Sequence, residues 1–396
     1  MNQPKRFISF REVNQEPFRL FFPAAVLTGI IGVSLWPLHF GGIISLYPGV
    51  AHAHLMAHGF FGGFIFGVLG TGLPRMLSAP PFRLWQVLSL LMIYAFMVAT
   101  NLLGKTVAGD VLLLVFVSSF AACAIPRIAK RQDVPPPGFV LVVFALASLV
   151  AGTVLSIIHS RQEEPAVFWV NLQHLLSYQG FILLPILGVG TFLLPRFFDL
   201  PNLHEFPESR TPLPAWRRKA SLALLTGMIV IGSFMLEAAG WNRAGPGLRV
   251  LVAAAYLFSQ VPIFRSAIFQ NSVRASLAIA LVLLLAGYVW TVFFPVNRVA
   301  VLHLTLVGGF AVITFAVATR VLFGHSGNLA RLTLPNHWLK ISVALMLLGM
   351  ATRISGDFFP RILVSHYNYG ALLWICGVLL WSFYTLPKVL RADAED

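Results

Sequence analysis

Apolar stretches of about 20 residues, the length a helix needs to cross a lipid hydrocarbon layer, recur along the whole chain. Bounded by charges, Pro or Gly, they fall at 20–39, 52–73, 83–103, 107–125, 138–158, 167–194, 220–240, 248–269, 274–294, 299–322, 338–355 and 363–386. The pattern predicts an all-α polytopic membrane protein with twelve transmembrane helices. The runs are too long for membrane β-strands and lack their period-two alternation. The least regular stretch, Trp241–Gly247, separates the seventh and eighth helices. One long polar connection, 195–219, contains PNLHEFPESRTPLPAWRRK. It divides residues 1–396 into helices 1–6 (20–194) and helices 7–12 (220–386) of a single twelve-helix domain.

Composition agrees. Hydrophobic residues make up 58% of the chain and charged residues 11%, with a mean hydropathy of +0.81. A soluble domain carries about 25% charged residues, so a water-soluble globule, a disordered chain and a disulfide scaffold are all excluded. Cys123 and Cys376 lie in apolar runs and read as small buried hydrophobes. The polar, basic opening residues do not resemble a secretory signal.

The net charge of +14 is a topology signal rather than a nucleic-acid signal. With the N-terminus placed in the cytoplasm, the inner segments hold 21 Lys and Arg and the outer loops 7. Basic residues concentrate on the cytoplasmic side of membrane proteins. Both termini are therefore expected in the cytoplasm.

A repeat follows. Helix 2 contains HGFFGGFIFGVLGTGLPRM and helix 6 contains QGFILLPILGVGTFLLPRF. They align at Gly59 with Gly180, Phe60 with Phe181, Gly67 with Gly188, Pro74 with Pro195 and Arg75 with Arg196. Helix 10 has His303 ahead of Gly308-Gly309-Phe310. Helices 2, 6 and 10 are expected to be structural equivalents. The Gly59, Gly62, Gly63, Gly67 and Gly70 face of helix 2 suits close helix packing or leaves room for a flat macrocycle.

Eight of the eleven histidines fall toward the outer side: His39, His52, His54, His58, His159, His174, His303 and His366. His204, His325 and His337 fall inside. His52, His54, His58, His174, His303 and His366 lie at similar depth on helices 2, 6, 10 and 12. Imidazoles in a membrane are costly and mark function; the ligands they suit are haem iron and copper. His39 and His159 lie in loops and are expected to be solvated. Asp110, Glu237 and Asp357, near outer helix ends, could orient a ligand imidazole or accept protons. The segment TRVLFGHSGN (319–328) ends helix 10. Gly324 and Gly327 suit a helix C-terminal turn, with Arg320 and His325 near the last carbonyls; an inner metal or quinone site is the other reading. There is no HExxH, P-loop, GxGxxG or CxxCH, so any haem is non-covalent.

Four segments together resemble the NnrS family of twelve-helix bacterial inner-membrane proteins: EPFRLFFPAAVL (16–27), AHAHLMAHGFFGGFIFGVLGTGLPRM (51–76), HLTLVGGFAVITFAVATRVLFGHSG (303–327) and ALLWICGVLLWSFYTLPKVLR (371–391). The resemblance implies haem and copper bound in the membrane and a role in the nitric-oxide response, denitrification and resistance to nitrosative stress. It places the family's paired histidines on His52 and His54, its helix 10 histidine on His303 and its glycine-flanked histidine on His325. Leu55 stands where the family has an acidic residue after HAH, and His58 and His174 are additions to the family pattern.

The architecture is also similar to a haem–copper oxidase catalytic subunit, whose ligands lie on helices 2, 6, 7 and 10. Helix 7 here has no histidine and the chain has no His-His pair, so an oxygen-reducing binuclear centre is not expected. The expected cofactors are a b-type haem, on His54 or His58 with His303, and copper, on ligands drawn from His52, His174 and His366, with His325 a further metal candidate. The expected partners are the lipid bilayer, nitric oxide or a nitrosylated species, and quinol or another electron donor. Two other functions fit the same chain, a secondary transporter and a quinol-linked nitric-oxide reductase. Transporters favour polar groups at mid-membrane, whereas the polar cluster here lies toward the outside.

Overall fold

The structure, a computed structural model, describes residues 10–263 and 269–392. A short helix, α1 (Phe10–Gln15), leads into α2 (Phe18–Phe40), α3 (Gly49–Met76), α4 (Leu84–Leu102), α5 (Thr106–Ala129), α6 (Phe139–His159) and α7 (Val167–Phe197). After the 198–213 connection come α8 (Pro214–Ala238), α9 (Ala244–Gln260), α10 (Ser272–Phe293), α11 (Arg298–His325), α12 (His337–Phe358) and α13 (Leu363–Thr385).

Among the described residues, eleven helices are long and apolar enough to cross a membrane. The chain is a polytopic all-helical membrane protein. The eighth helix, expected at 248–269, is the exception: α9 has 17 residues and stops at Gln260. The cause is local. Val261 precedes Pro262, and a residue before proline is pushed out of the helical region; Val261 is extended, at φ −123° and ψ 107°. Residues 264–268 of that expected span lie outside the described residues.

The helices expected to be equivalent, α3, α7 and α11, have 28, 31 and 28 residues. At 1.5 Å per residue they reach roughly 42–46 Å, longer than the ~30 Å hydrocarbon layer. Each contains a wide π-helical turn: Leu55–Phe61, Leu175–Gly180 and Leu304–Ala311. Each turn begins directly after a histidine, His54, His174 or His303. Well under 1% of residues are π-helical, mostly at functional sites, so three in register on repeated helices mark one functional level.

Glycine explains how these helices reach the centre. A Cβ on Gly59 would lie 2.4 Å from Thr28, and one on Gly63 2.7 Å from Ala25, so the glycine face of α3 is pressed on α2. In α7, a Cβ on Gly180 would meet Phe234 and Ser148 at 3.0 and 3.2 Å; in α11, one on Gly309 would meet Leu284 at 2.7 Å. The Phe60, Phe181 and Phe310 that follow Gly59, Gly180 and Gly309 are fully buried. Their rings reach across the helices, Phe61 to Phe310 at 6.2 Å and Phe66 to Phe181 at 6.0 Å.

The end carrying Arg75, Arg196 and His325 is tied by polar groups. His325 closes α11 in the left-handed glycine turn expected there: Gly327 has φ +66°, Asn328 N–H donates to Phe323 O, and Gly327 N–H to Gly324 O. The connection before α8 is pinned by Asp133, whose Oδ1 accepts from Ser209 N at 2.9 Å, and by Trp216 Nε1 donating to Pro135 O at 2.8 Å.

Candidate metal and cofactor site

At the end where α3, α7 and α11 begin, the helices enclose a cavity of about 680 Å³. Val33, Trp36, Met56, Leu302, Leu306 and Trp374 supply apolar wall, and His52, His54, His174 and His303 project among them. Four of the six histidines expected at one depth thus line the same cavity. This volume falls in the range of small-molecule and cofactor sites, which are apolar with a few convergent polar groups.

Two of these imidazoles have the same construction. His52 Nδ1 donates to Gly32 O at 3.0 Å and His303 Nδ1 to Val299 O at 2.8 Å. A carbonyl only accepts, so the proton is on Nδ1 and Nε2 keeps its lone pair, as in ligand histidines held by an outer hydrogen bond. The two residues lie within electrostatic reach of one another and share Arg353 as a neighbour.

Charges line the cavity in two sets. Arg249 is buried, donating to Glu237 Oε2 at 2.6 Å and Gln179 Oε1 at 2.9 Å. Arg298, partly exposed, donates to Asn171 Oδ1 at 3.0 Å and lies 3.9 Å from Glu237. In the second set, Arg353 donates to Asp357 Oδ2 at 2.8 Å and sits 3.6 Å over the Tyr367 ring, while Tyr367 donates to Asp357 Oδ1 at 2.5 Å. Three guanidiniums face two carboxylates, a balance that favours an anionic ligand.

Beside the cavity lies a second cluster. One donor atom each from His54, His58 and Asp110 falls within 4.8 Å of the others, and the residues are 3%, 4% and 2% exposed. His54 Nδ1 donates to Asn101 Oδ1 at 2.8 Å and lies 3.8 Å from Asp110 Oδ1. Ser156 lies beside Asp110, and the backbone of Ser177 beside His58. His58 Nε2 is buried with no hydrogen-bond partner. Tyr178 stacks on His174 at 5.6 Å and lies 5.9 and 5.6 Å from the His54 and His58 rings. The arrangement offers an ion two nitrogens and an oxygen.

Residues 12–392 match the family model described as NnrS protein. The chain belongs to the NnrS family. A search of curated proteins gives no match. In this member of the family, the HAH motif divides its histidines between two places: His52 faces the cavity pair and His54 the Asp110 cluster. His58, which is not among the cavity-lining residues, lies beside His54.

The remaining site candidates lie apart. His366 donates from Nδ1 to Ile362 O at 3.1 Å and is not among the cavity-lining residues. His325 is at the opposite end of α11. Its Nδ1 pairs with the Glu16 carboxylate, its Nε2 accepts from Arg75 at 3.3 Å, and its ring packs at a tilt against Phe18, 5.0 Å between centroids. Both of its nitrogens are therefore engaged by protein groups.

Sequence reasoning had named Asp110, Glu237 and Asp357 as acids able to serve imidazoles. It had not found Asn101, Tyr178, Arg249, Arg298 or Arg353. A polar residue near the outer end of an apolar span was the available signal, and Asn101 and Arg249 carried it.

Proposed function

We propose that this NnrS-family chain is a haem- and copper-binding integral protein of a bacterial inner membrane, with both termini cytoplasmic, acting in the nitric-oxide response and nitrosative-stress resistance. Family membership supports the reading, and one observation carries it. His52 and His303 each fix the Nδ1 proton on a backbone carbonyl and keep Nε2 for the cavity they share.

The residues present fit a non-covalent b-type haem. His52 and His303 would supply nitrogens to hold the iron, the apolar wall would take the macrocycle, and Arg298 and Arg353 would take its carboxylates. Bound haem supplies an iron able to take nitric oxide. The chain's own contribution is to orient the imidazoles through Gly32 and Val299, to exclude water with Trp36 and Trp374, and to hold anionic groups at one rim. Imidazole is also a preferred copper donor. An electron donor such as quinol and a substrate such as nitric oxide or a nitrosylated species complete the proposal.

The test is an absorption spectrum of detergent-purified protein with metal analysis on the same sample. A Soret band that shifts on adding nitric oxide is expected, together with bound copper. Protein with neither chromophore nor copper would sink the reading.

A further inference from the structure

We infer that His54, His58 and Asp110 form a site for one divalent transition-metal ion, separate from the cavity pair. This inference rests on reading the chain as a metalloprotein and deepens it. The donors come from two helices: His54 and His58 from α3, Asp110 from α5. All three are nine-tenths or more buried, and their donor atoms fall within 4.8 Å of one another.

A plain His–Asp ion pair would also bring His54 toward Asp110. It would not account for His58. A second imidazole with its ring 5.1 Å from the first gains nothing beside a protonated His54, and its buried Nε2 has no partner. An unsatisfied buried polar atom costs on the order of 1–3 kcal/mol. A divalent ion satisfies all three donors at once. It also explains the polar surroundings: Asn101 accepts from the His54 ring, with the Ser177 backbone beside His58 and Ser156 beside Asp110. Such outer partners are what orient metal ligands.

The donor types narrow the ion. Thiolate and thioether donors favour Cu(I), and all-oxygen sets favour Mg, Ca or Mn. Two imidazoles and one carboxylate with open positions occur at non-haem Fe(II) and at catalytic zinc centres, so the set takes a divalent transition-metal ion, for which ferrous iron is the probe. Tyr178 lies against both imidazoles and shields the site.

The experiment uses full-length protein in detergent, stripped by chelator and titrated anaerobically with ferrous salt. Binding is read by iron content per chain and by X-ray absorption. One ferrous ion per chain in a nitrogen- and oxygen-only shell is expected. His58→Ala and Asp110→Ala should each abolish it. Asn101→Ala, which leaves every ligand in place, should weaken it by about 10–100-fold. The Soret band serves as the folding control for each variant and should persist. Wild-type protein that takes up no ferrous iron, or variants that take it up like wild type, would overturn the inference. A missing Soret band with intact ferrous binding would sink the haem reading and leave this one standing.

Discussion

Glu16 and His325, far apart in the sequence, form an ion pair in which the Glu16 carboxylate is fully buried. The same carboxylate takes Arg19 Nε and Arg75 Nη2, each at 2.6 Å, and Arg19 reaches on to Val389 O at 2.8 Å. One acid thus ties α1, α2, α3, α11 and the C-terminal segment together. Removing one partner of a buried pair costs about 3–5 kcal/mol because it strands the other charges. Glu16→Gln should lower the unfolding midpoint markedly, and His325→Ala, at a more exposed partner, should lower it less. Both should retain full haem and metal content. Metal lost from His325→Ala protein, at unchanged stability, would instead make His325 a ligand.

The 198–213 connection contains an acid-sensitive histidine. His204 is buried, and its Nε2 sits 3.2 Å from Gln260 Oε1, which also accepts from Lys219. Burial, and then the Lys219 charge, hold its pKa down to about 4, against 6.5 for a free imidazole. The folded state therefore binds fewer protons than the unfolded chain between those values. Stability is lost as pH falls from about 6.5 toward 4, by up to about 2 kcal/mol at pH 5. His204→Gln should remove that part of the acid sensitivity. The comparison is the difference in thermal midpoint between pH 7.5 and pH 5, wild type against variant; equal slopes would refute it.

The cavity assignment separates histidines that the sequence placed together. His52→Ala and His303→Ala should each remove or strongly shift the Soret band. His174→Ala, which breaks the stack on Tyr178, and His366→Ala, which lies off the cavity wall, should leave it close to wild type. A band that survives unshifted in His303→Ala would refute its role in holding the iron.

Much of this fold was legible in the chain. Long apolar runs gave eleven of the helices, because lipid leaves few other solutions to a backbone that must satisfy its own hydrogen bonds. The Gly-Phe repeat located α3, α7 and α11 as equivalents, since close packing demands glycine wherever it occurs. The end of α9 was less readable: the apolar run continues past Val261, and only Pro262 marks the stop. The site was half legible. Histidine spacing brought out the residues, but it grouped His54 or His58 with His303, whereas the pairing proposed above is His52 with His303. His52 and His54 are two residues apart and separate only once Gly32 and Asn101 are placed beside them. Three wide helical turns have no sequence signature that periodicity detects.

Those wide turns make a direct prediction. A π-turn holds one residue more than an α-helical turn, so deleting one residue inside it restores the ordinary register. Deleting Leu306 from Leu304–Ala311 would rotate His303 by about 100° relative to the rest of α11. The Soret band should be lost while the protein stays monodisperse in detergent. An unaltered spectrum would show that the turn does not aim His303.

Gly109 supplies the last test. A Cβ there would lie 2.4 Å from Asn101 Nδ2 and 2.8 Å from its Cγ. Asn101 cannot simply move aside, because its Nδ2 donates to Met97 O at 2.9 Å and its Oδ1 accepts from His54. Gly109→Ala should therefore push the amide off His54, at an overpacking cost of about 1–3 kcal/mol. Ferrous affinity should fall about as far as in Asn101→Ala, with the Soret band retained. The double variant Gly109→Ala with Asn101→Ala should bind no more weakly than Asn101→Ala alone, since the methyl group then has nothing to displace. Additive losses would mean that Gly109 acts on Asp110 directly, through the shared turn of α5, and not through the amide.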